Sequence, residues 1–494
     1  MSRDLVIGLD VGTTACKALA VSREGRVEAS AAGEYPLHTP QPGFAEQDVH
    51  EIWQGVCGAL RALCAKIEVG RLAGIALSGA MHSLLPVDGS GNPLARAMTW
   101  ADLRAVDAAG ELRRDDPRGQ QYLVTGCPHQ WLYHPAKLRW MRRHQPQLLA
   151  EASRFVAIKD WLLHRLTGTW ATDIGMASAS GLLDLTTRHW NADALARAEI
   201  DTSRLPPLRE PHDRVGEVTA AAAEATALPA HLPVMPGGGD GGMANIGAGA
   251  ATSGRAVITV GTSGAVRITA ARPVLDPSQR TWCYVLNNEL FYAGGAINNG
   301  GIVVDAVRRL HYGDLEKGQA FARLFADAQD VSPGADGVLC LPYFAGERSP
   351  HWRADLTGAL SGLTHAHHRG HVARAVLEGV AFCLADVWGA LCESLPSPPD
   401  AIRLTGGITR SPVWSRIICD VLGVPVTLNE AGDASALGAA AVAQLGAGHI
   451  ASLADFPIDV ADAVHLAPNE NLRAIYAECH GYFQEAGQAM MRAI

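Results

Sequence analysis

Apolar residues run almost unbroken from Leu5 to Leu9 and return from Ala15 to Val21, on either side of the turn Asp10-Val11-Gly12-Thr13-Thr14. Short apolar runs bounded by turn residues predict two buried strands, and Ser22–Gly25 turns into a third over Arg26–Ala31. The opening reads as an antiparallel meander. The period then changes: Ile52, Val56, Ala59, Leu60 and Leu63 share one helical face within Glu51–Ile67, and a buried strand follows at Leu72–Ser78. Helical spacing recurs over Ala136–Arg143, Lys159–Leu166 and Ala220–Ala227, the last ahead of the turn-rich LPVMPGGGDGG at Leu232–Gly242. Further on, helical patterns at Gly301–Leu310, His371–Leu391 and Val413–Leu422 alternate with strands at Gly337–Leu341, Ala401–Thr405 and Val426–Leu428, which indicates an α/β fold.

The two halves share a pattern. DVGTTACKAL at Asp10–Leu19 is matched by TVGTSGAVRI at Thr259–Ile268, about half the chain away and in the same strand–turn–strand context. We therefore expect two related domains, 1–245 and 246–494, each opening on a hairpin whose turn is V-G-T-[ST]. A length of 494 residues, 48% of them hydrophobic, supports two large cores.

Charge narrows the partner. A net charge of −9 and an isoelectric point near 6.1 give no general attraction to nucleic acid or an anionic membrane, and favour a small soluble ligand. The ten cysteines are scattered without a C-x-x-C, as expected of free thiols in a reducing, cytoplasmic setting. Asp10 interrupts the only early apolar run, so no signal peptide is expected. The uncharged stretch Ala434–Ala454 is rich in Ala and Gly and contains Gln444 and His449, which suits a packed internal helix better than a membrane span.

The interrupting turn is the first candidate site. Gly12 removes a Cβ that would block an anion, and Thr13 and Thr14 add hydroxyl donors to the backbone N–H groups. An acid in such a turn repels a phosphate unless a divalent cation lies between them, so Asp10 fits a magnesium site. Lys17 adds a positive charge, or is a solvated strand residue. The second hairpin, with Gly261, Thr262 and Ser263, can face the first across a cleft and hold a polyphosphate with its metal; no G-K-[ST] of a P-loop occurs. PGGGDGGMANIGAG, Pro236–Gly249, contains a formal G-x-G-x-x-G, but position 262, where a dinucleotide fold needs an acid, is Thr. What remains there is Asp240, either a general base for an acceptor hydroxyl or a cap of the following helix. In LTGGITRSPVW, Leu404–Trp414, Gly406 and Gly407 join a strand to a helix beginning near Ser411-Pro412, and either admit a flat base or form an ordinary turn.

A separate segment offers an acceptor site. In SGAMHSLLPVD, Ser78–Asp88, and TWADLRA, Thr99–Ala105, Met81 and Trp100 present apolar faces, while His82, Asp102 and Arg104 can bond hydroxyls or an anionic end. The alternative is that Met81 and Trp100 are core and Arg104 is solvated.

In this order the four segments resemble the FGGY carbohydrate kinases, of the sugar kinase, heat-shock ATPase and actin superfamily, over essentially the whole chain. GALSGLTHAHHRGHVARAVLEG at Gly358–Gly379, PAKLRW at Pro135–Trp140, LPYFAGERSPHW at Leu341–Trp352 and DASALGAAAVA at Asp433–Ala443 carry the resemblance further. It implies a ribonuclease H-like sheet in each half and ATP with Mg²⁺. It also implies Asp10 at the metal, Asp240 as base, Gly12, Thr13, Thr14, Lys17, Gly261 and Thr262 at the phosphates, and Gly300, Gly406, Gly407 and Arg410 at the nucleotide. Within the family, M-H-S followed by T-W-A-D-x-R is similar to gluconate kinases, so the resemblance implies phosphorylation of D-gluconate on its terminal hydroxyl. The alternatives are a neutral ketose or polyol such as xylulose, and a non-catalytic sugar or nucleotide sensor. A homodimer is a further expectation from the family.

Overall fold

The computed structural model describes residues 3–428, 433–458 and 463–493; residues 1–2, 429–432, 459–462 and 494, which fall within the two expected domains, lie outside the described residues. The opening meander forms as expected, with β1 (Leu5–Val11), β2 (Ala15–Ser22) and β3 (Val27–Glu34) antiparallel. On its other edge β1 pairs in parallel with β4 (Leu72–Gly79). A parallel neighbour needs a crossover. It is supplied by α1 (Val49–Cys64), whose Asp48 carboxylate caps the helix by accepting from the His50 N–H, and whose apolar stripe is buried on the sheet.

The sheet is completed by β5 (Gly216–Glu217) and β6 (Pro233–Gly239), giving the order β5-β6-β4-β1-β2-β3. The sequence reading treated residues 232–242 as a turn-rich approach, and here the structure corrects it. Strand β6 is buried and parallel to β4, with a register shift between Met235 and Gly238. Gly237 sits at φ 68°, and a Cβ on it would lie 1.8 Å from the carbonyl oxygen of Leu77. The prolines and glycines that hide the strand's period therefore build its bulge and let it close on β4.

The second sheet repeats the plan. Strands β7 (Arg255–Val260), β8 (Gly264–Ala270), β9 (Trp282–Val285) and β10 (Phe291–Ile297) are joined by β11 (Ile402–Thr405), β12 (Val426–Leu428) and β13 (Val464–Leu466), in the order β9-β10-β8-β7-β11-β12-β13. In both sheets an antiparallel ladder, of three strands in the first and four in the second, is extended by two parallel strands on the edge of its first member. This is the ribonuclease H-like arrangement expected of each half. The expected strand at Gly337–Leu341 shortens to Leu339–Leu341 and pairs with Ala359–Ser361 in a ladder of its own.

The expected helices form at α2 (His134–His144), α3 (Ile158–Thr167), α4 (Asp240–Gly247), α5 (Gly301–His311), α6 (Arg369–Glu393), α7 (Pro412–Leu422) and α8 (Ala434–Gly446), with a further one at Ala220–Thr226. Helix α6 is long and apolar enough to cross a membrane, but 78% of its most apolar window is buried in the second core. Helix α8 returns to the first sheet: a Cβ on Gly8 of β1 would lie 1.9 Å from the Ala436 carbonyl, and one on Gly438 would lie 1.9 Å from that of Met243 in α4. The chain beyond residue 246 thus contributes a layer to the first core, and a cut at 245 falls inside α4.

Candidate active site

Both V-G-T turns project from the ends of their sheets. In the first, Asp10 lies opposite Ser78 of β4, whose hydroxyl donates to the Asp10 carboxylate at 2.6 Å. The Gly12 N–H closes the turn on the Ala15 carbonyl at 2.9 Å. The Thr13 carbonyl accepts from the Gln47 amide at 2.7 Å, and the Thr13 hydroxyl accepts from the Trp100 indole at 3.1 Å. Thr14 is exposed. Lys17 forms an ion pair with Asp433, the residue before α8. Burial raises the Asp10 carboxyl to about 7 against the Ser78 bond, and the charges of Asp240 and Asp433 add to the rise.

The second turn docks on the start of α5. Gly301 donates to the Gly261 carbonyl at 2.7 Å and Ile302 to that of Thr262 at 3.1 Å. A Cβ on Gly300 would come within 2.7 Å of the Ser263 oxygen, and one on Gly406, at φ 90°, within 2.6 Å of the Val260 oxygen. Gly300, Gly406 and Gly407 therefore pack around this turn, with Arg410 beside Gly407. Helix α7 opens as expected at Ser411-Pro412, the Ser411 hydroxyl accepting from the Trp414 N–H.

Between the turns lies a cavity of about 300 Å³. From the first half Thr13, Met81, His82, Trp100 and Asp240 line it; from the second come Gly261, Thr262, Arg267 and Arg348, with the aromatic rings of Trp282 and Tyr284. Asp240 is the first residue of α4 and its carboxylate accepts from the Gly241 N–H at 2.7 Å. Burial raises its carboxyl, while the charges of Arg267 and Arg348 and the Gly241 bond oppose the rise. The surrounding glycines make room for side chains: a Cβ on Gly239 would lie 2.7 Å from Cγ of Met81, and one on Gly241 3.1 Å from Nε of Arg267.

The acceptor segment is held from behind. His82 adopts φ 67°, a left-handed conformation unusual for a residue with a side chain. Its carbonyl accepts from the buried Lys137 of α2 at 2.5 Å, and the same ammonium reaches the Thr99 carbonyl at 2.8 Å. One cation in PAKLRW thus pins both stretches of the segment. The His82 ring meets the Ala179 carbonyl through Nδ1 at 2.9 Å, and burial pushes its pKa down to about 3, so the imidazole is neutral.

Asp102 and Arg104 do not reach the cavity, which corrects their assignment as acceptor contacts. The Arg104 guanidinium is buried against Asp102 (2.8 and 2.6 Å) and Glu46 (2.6 Å) and stacks 3.9 Å from the centre of the Phe44 ring. The second Asp102 oxygen also accepts from the Ala45 N–H. Each charge is satisfied by the other, and this pair braces the loop that presents Trp100.

Trp282 and Tyr284 escaped the sequence reading, and so did two cations of the cavity. Arg267 stands on β8 between the buried Val266 and Ile268, and Arg348 follows the buried Glu347. Both lie in segments the sequence marks out; for Arg267 the signal is a lone cation in an otherwise apolar strand, whereas Arg348 sits in an irregular stretch with no such pattern. Arg348 donates to the Asn298 side chain at 2.7 Å and lies 4.9 Å from the centre of the Trp100 ring, bridging the two halves.

The donor set near Asp10 suits a hard cation, because two further carboxylates, Asp240 and Asp433, act on it. Among the described residues no cluster of three His, Cys, Asp or Glu side chains occurs, so such an ion would take most of its ligands from water and phosphate oxygens.

Comparison with known proteins agrees with this construction. The family models of the FGGY carbohydrate kinases match residues 5–247 with the N-terminal domain and 256–447 with the C-terminal domain. The chain is 32% identical to a gluconokinase of Bacillus subtilis, over 90% of this chain and 88% of that one. It superposes on a gluconate kinase from Lactobacillus acidophilus with a TM-score of 0.92 at 29% identity, covering 98% of each chain. A ligand-bound xylulose kinase from the same organism gives 0.93 at 30% identity, over 99% of this chain and 98% of that one. With both of its sheets, both turns and the carboxylate between them accounted for, the chain belongs to the FGGY family of carbohydrate kinases and is a phosphotransferase acting on a sugar hydroxyl.

Proposed function

We propose that the enzyme transfers the γ-phosphoryl group of ATP to the terminal hydroxyl of D-gluconate, giving 6-phosphogluconate. The observation that carries this reading is the pairing of one carboxylate, Asp240, with two guanidinium groups, Arg267 and Arg348, in a single cavity between the phosphate turns. A base at one end and cations nearby suit an acceptor that has a hydroxyl to activate and a carboxylate to hold. The name of the Bacillus subtilis relative supports the same acceptor.

In this reading Asp240 accepts the proton of the terminal hydroxyl as its oxygen bonds to the γ-phosphorus and the bond to the ADP oxygen breaks. The turn hydroxyls of Thr13, Thr14 and Thr262 hold the phosphates. A magnesium ion held through water at Asp10, when bound, neutralises phosphate charge. Gly300, Gly406, Gly407 and Arg410 flank the nucleotide, and closure of the two halves around both substrates keeps water from taking the phosphoryl group.

Xylulose is the second reading, favoured by the equally close superposition on a xylulose kinase. ADP release with Mg-ATP separates the two: gluconate as the preferred acceptor supports the proposal, and turnover confined to neutral sugars removes it.

A further inference from the structure

If the acceptor is an aldonate, as proposed above, some group in the cavity must meet its carboxylate. Arg104 is committed to Asp102 and Glu46, and His82 is neutral with its Nδ1 on a backbone carbonyl. Arg348 spends Nε on Asn298 and Nη2 on the Ile297 carbonyl at 3.2 Å, and its face covers Trp100. Arg267 differs from all of these. Its Nη1 donates to the Thr259 hydroxyl at 3.2 Å, a bond that orients the guanidinium, while its buried Nε has no partner among the described residues. The Thr259 hydroxyl is itself fixed by that of Thr405 at 2.9 Å. Asp240 acts on the charge of Arg267 without forming a hydrogen bond to it. A buried donor left without a partner is costly, and here it belongs to a guanidinium that lines the cavity beside the base.

We infer that Arg267 is the specificity residue of this enzyme, the edge formed by Nε and Nη2 taking the carboxylate of an aldonate while Thr259 holds Nη1. This edge presents two parallel N–H donors, the arrangement that matches a carboxylate. A neutral sugar of the same length leaves it unpaired, and sites of that kind reject the analogue that lacks the partner.

The test compares kcat/KM for gluconate with that for gluconamide, a neutral analogue of the same chain length, in the wild type, Arg267→Met, Arg267→Lys and Arg348→Met. The gluconate-to-gluconamide ratio falls about 10²-fold in Arg267→Met and roughly 10-fold in Arg267→Lys, and stays near the wild-type value in Arg348→Met. Equal losses on both acceptors in Arg267→Met place that residue at the phosphoryl group or at Asp240 and overturn the inference. So does a collapse of the ratio in Arg348→Met instead. Should Arg267→Met fail to fold, judged by its melting temperature and Mg-ATP binding, Arg267→Lys decides by the same ratio. A wild type inactive on gluconate but active on another aldonate overturns the proposed acceptor and leaves Arg267 to be read on that acid; inactivity on every aldonate overturns both.

Discussion

The indole of Trp100 donates to the hydroxyl of Thr13 at 3.1 Å, so the acceptor segment and the first phosphate turn are joined by a direct hydrogen bond. Arg348, from the second half, covers the same indole. Trp100→Phe keeps most of the ring and removes the donor. A neutral hydrogen bond contributes about 0.5–1.5 kcal/mol, so kcat/KM should fall by up to roughly 10-fold. The distinguishing readout is synergy: sugar should sharpen nucleotide binding in the wild type, and less so in the variant. Calorimetric titration of nucleotide with and without sugar measures this directly, and undiminished synergy in Trp100→Phe would separate the bond from any coupling role.

Asp240→Asn preserves shape and removes the base. General-base catalysis is worth about 10²–10⁴-fold, so kcat should drop by at least ~10²-fold while nucleotide binding is largely retained. Near-normal turnover would leave Asp240 as the first residue of α4 and nothing more.

The pH dependence follows from the surroundings of Asp240. Burial holds its carboxyl above the ordinary value of 3.8, and the charge of Arg267 pulls it back. A base works deprotonated, so kcat/KM is lost as pH falls through the raised value, and the acid limb should lie above the ordinary carboxylate range. Removing Arg267 takes away a lowering influence, so Arg267→Met should move that limb to higher pH. Profiles recorded with gluconamide keep acceptor charge out of the comparison, and a shift to lower pH would contradict the electrostatic account.

Glycines weld α8 to the first sheet. Gly438→Ala would place a Cβ 1.9 Å from the Met243 carbonyl, a clash with backbone that side-chain adjustment cannot relieve. Overpacking of this kind costs roughly 3 kcal/mol or more, and urea unfolding should show it. Gly58→Ala is the control: it lies in α1 with nothing within 4 Å of its Cβ position, so the helix should gain about 0.5–1 kcal/mol.

Most strands and helices with a clean period could be read from the chain, and Val426–Leu428 has its expected bounds. The paired turns at Gly12 and Gly261 were legible because the repeat is local and carries its own glycines. Pro233–Gly239 was not, since the bulge that fits it to β4 is written in residues that otherwise mark turns. Nor was the place of α8, whose alanines and glycines say that it packs closely but not against which sheet. At the site, Met81, His82, Trp100 and Asp240 line one cavity. Arg104 does not, because its partners, Asp102 and Glu46, are brought to it by loop geometry that no periodicity encodes. Arg267 was overlooked for the converse reason: a cation on a strand reads as solvated until the opposite half of the molecule covers it.

Competition between the two acceptors decides between gluconate and xylulose in a single reaction. Equimolar gluconate and xylulose are offered to the enzyme with limiting Mg-ATP, and the phosphorylated products are separated and quantified by mass. 6-Phosphogluconate is expected as the dominant product, in the ratio of the two kcat/KM values. A dominant xylulose phosphate would keep the kinase and contradict the acceptor assigned here.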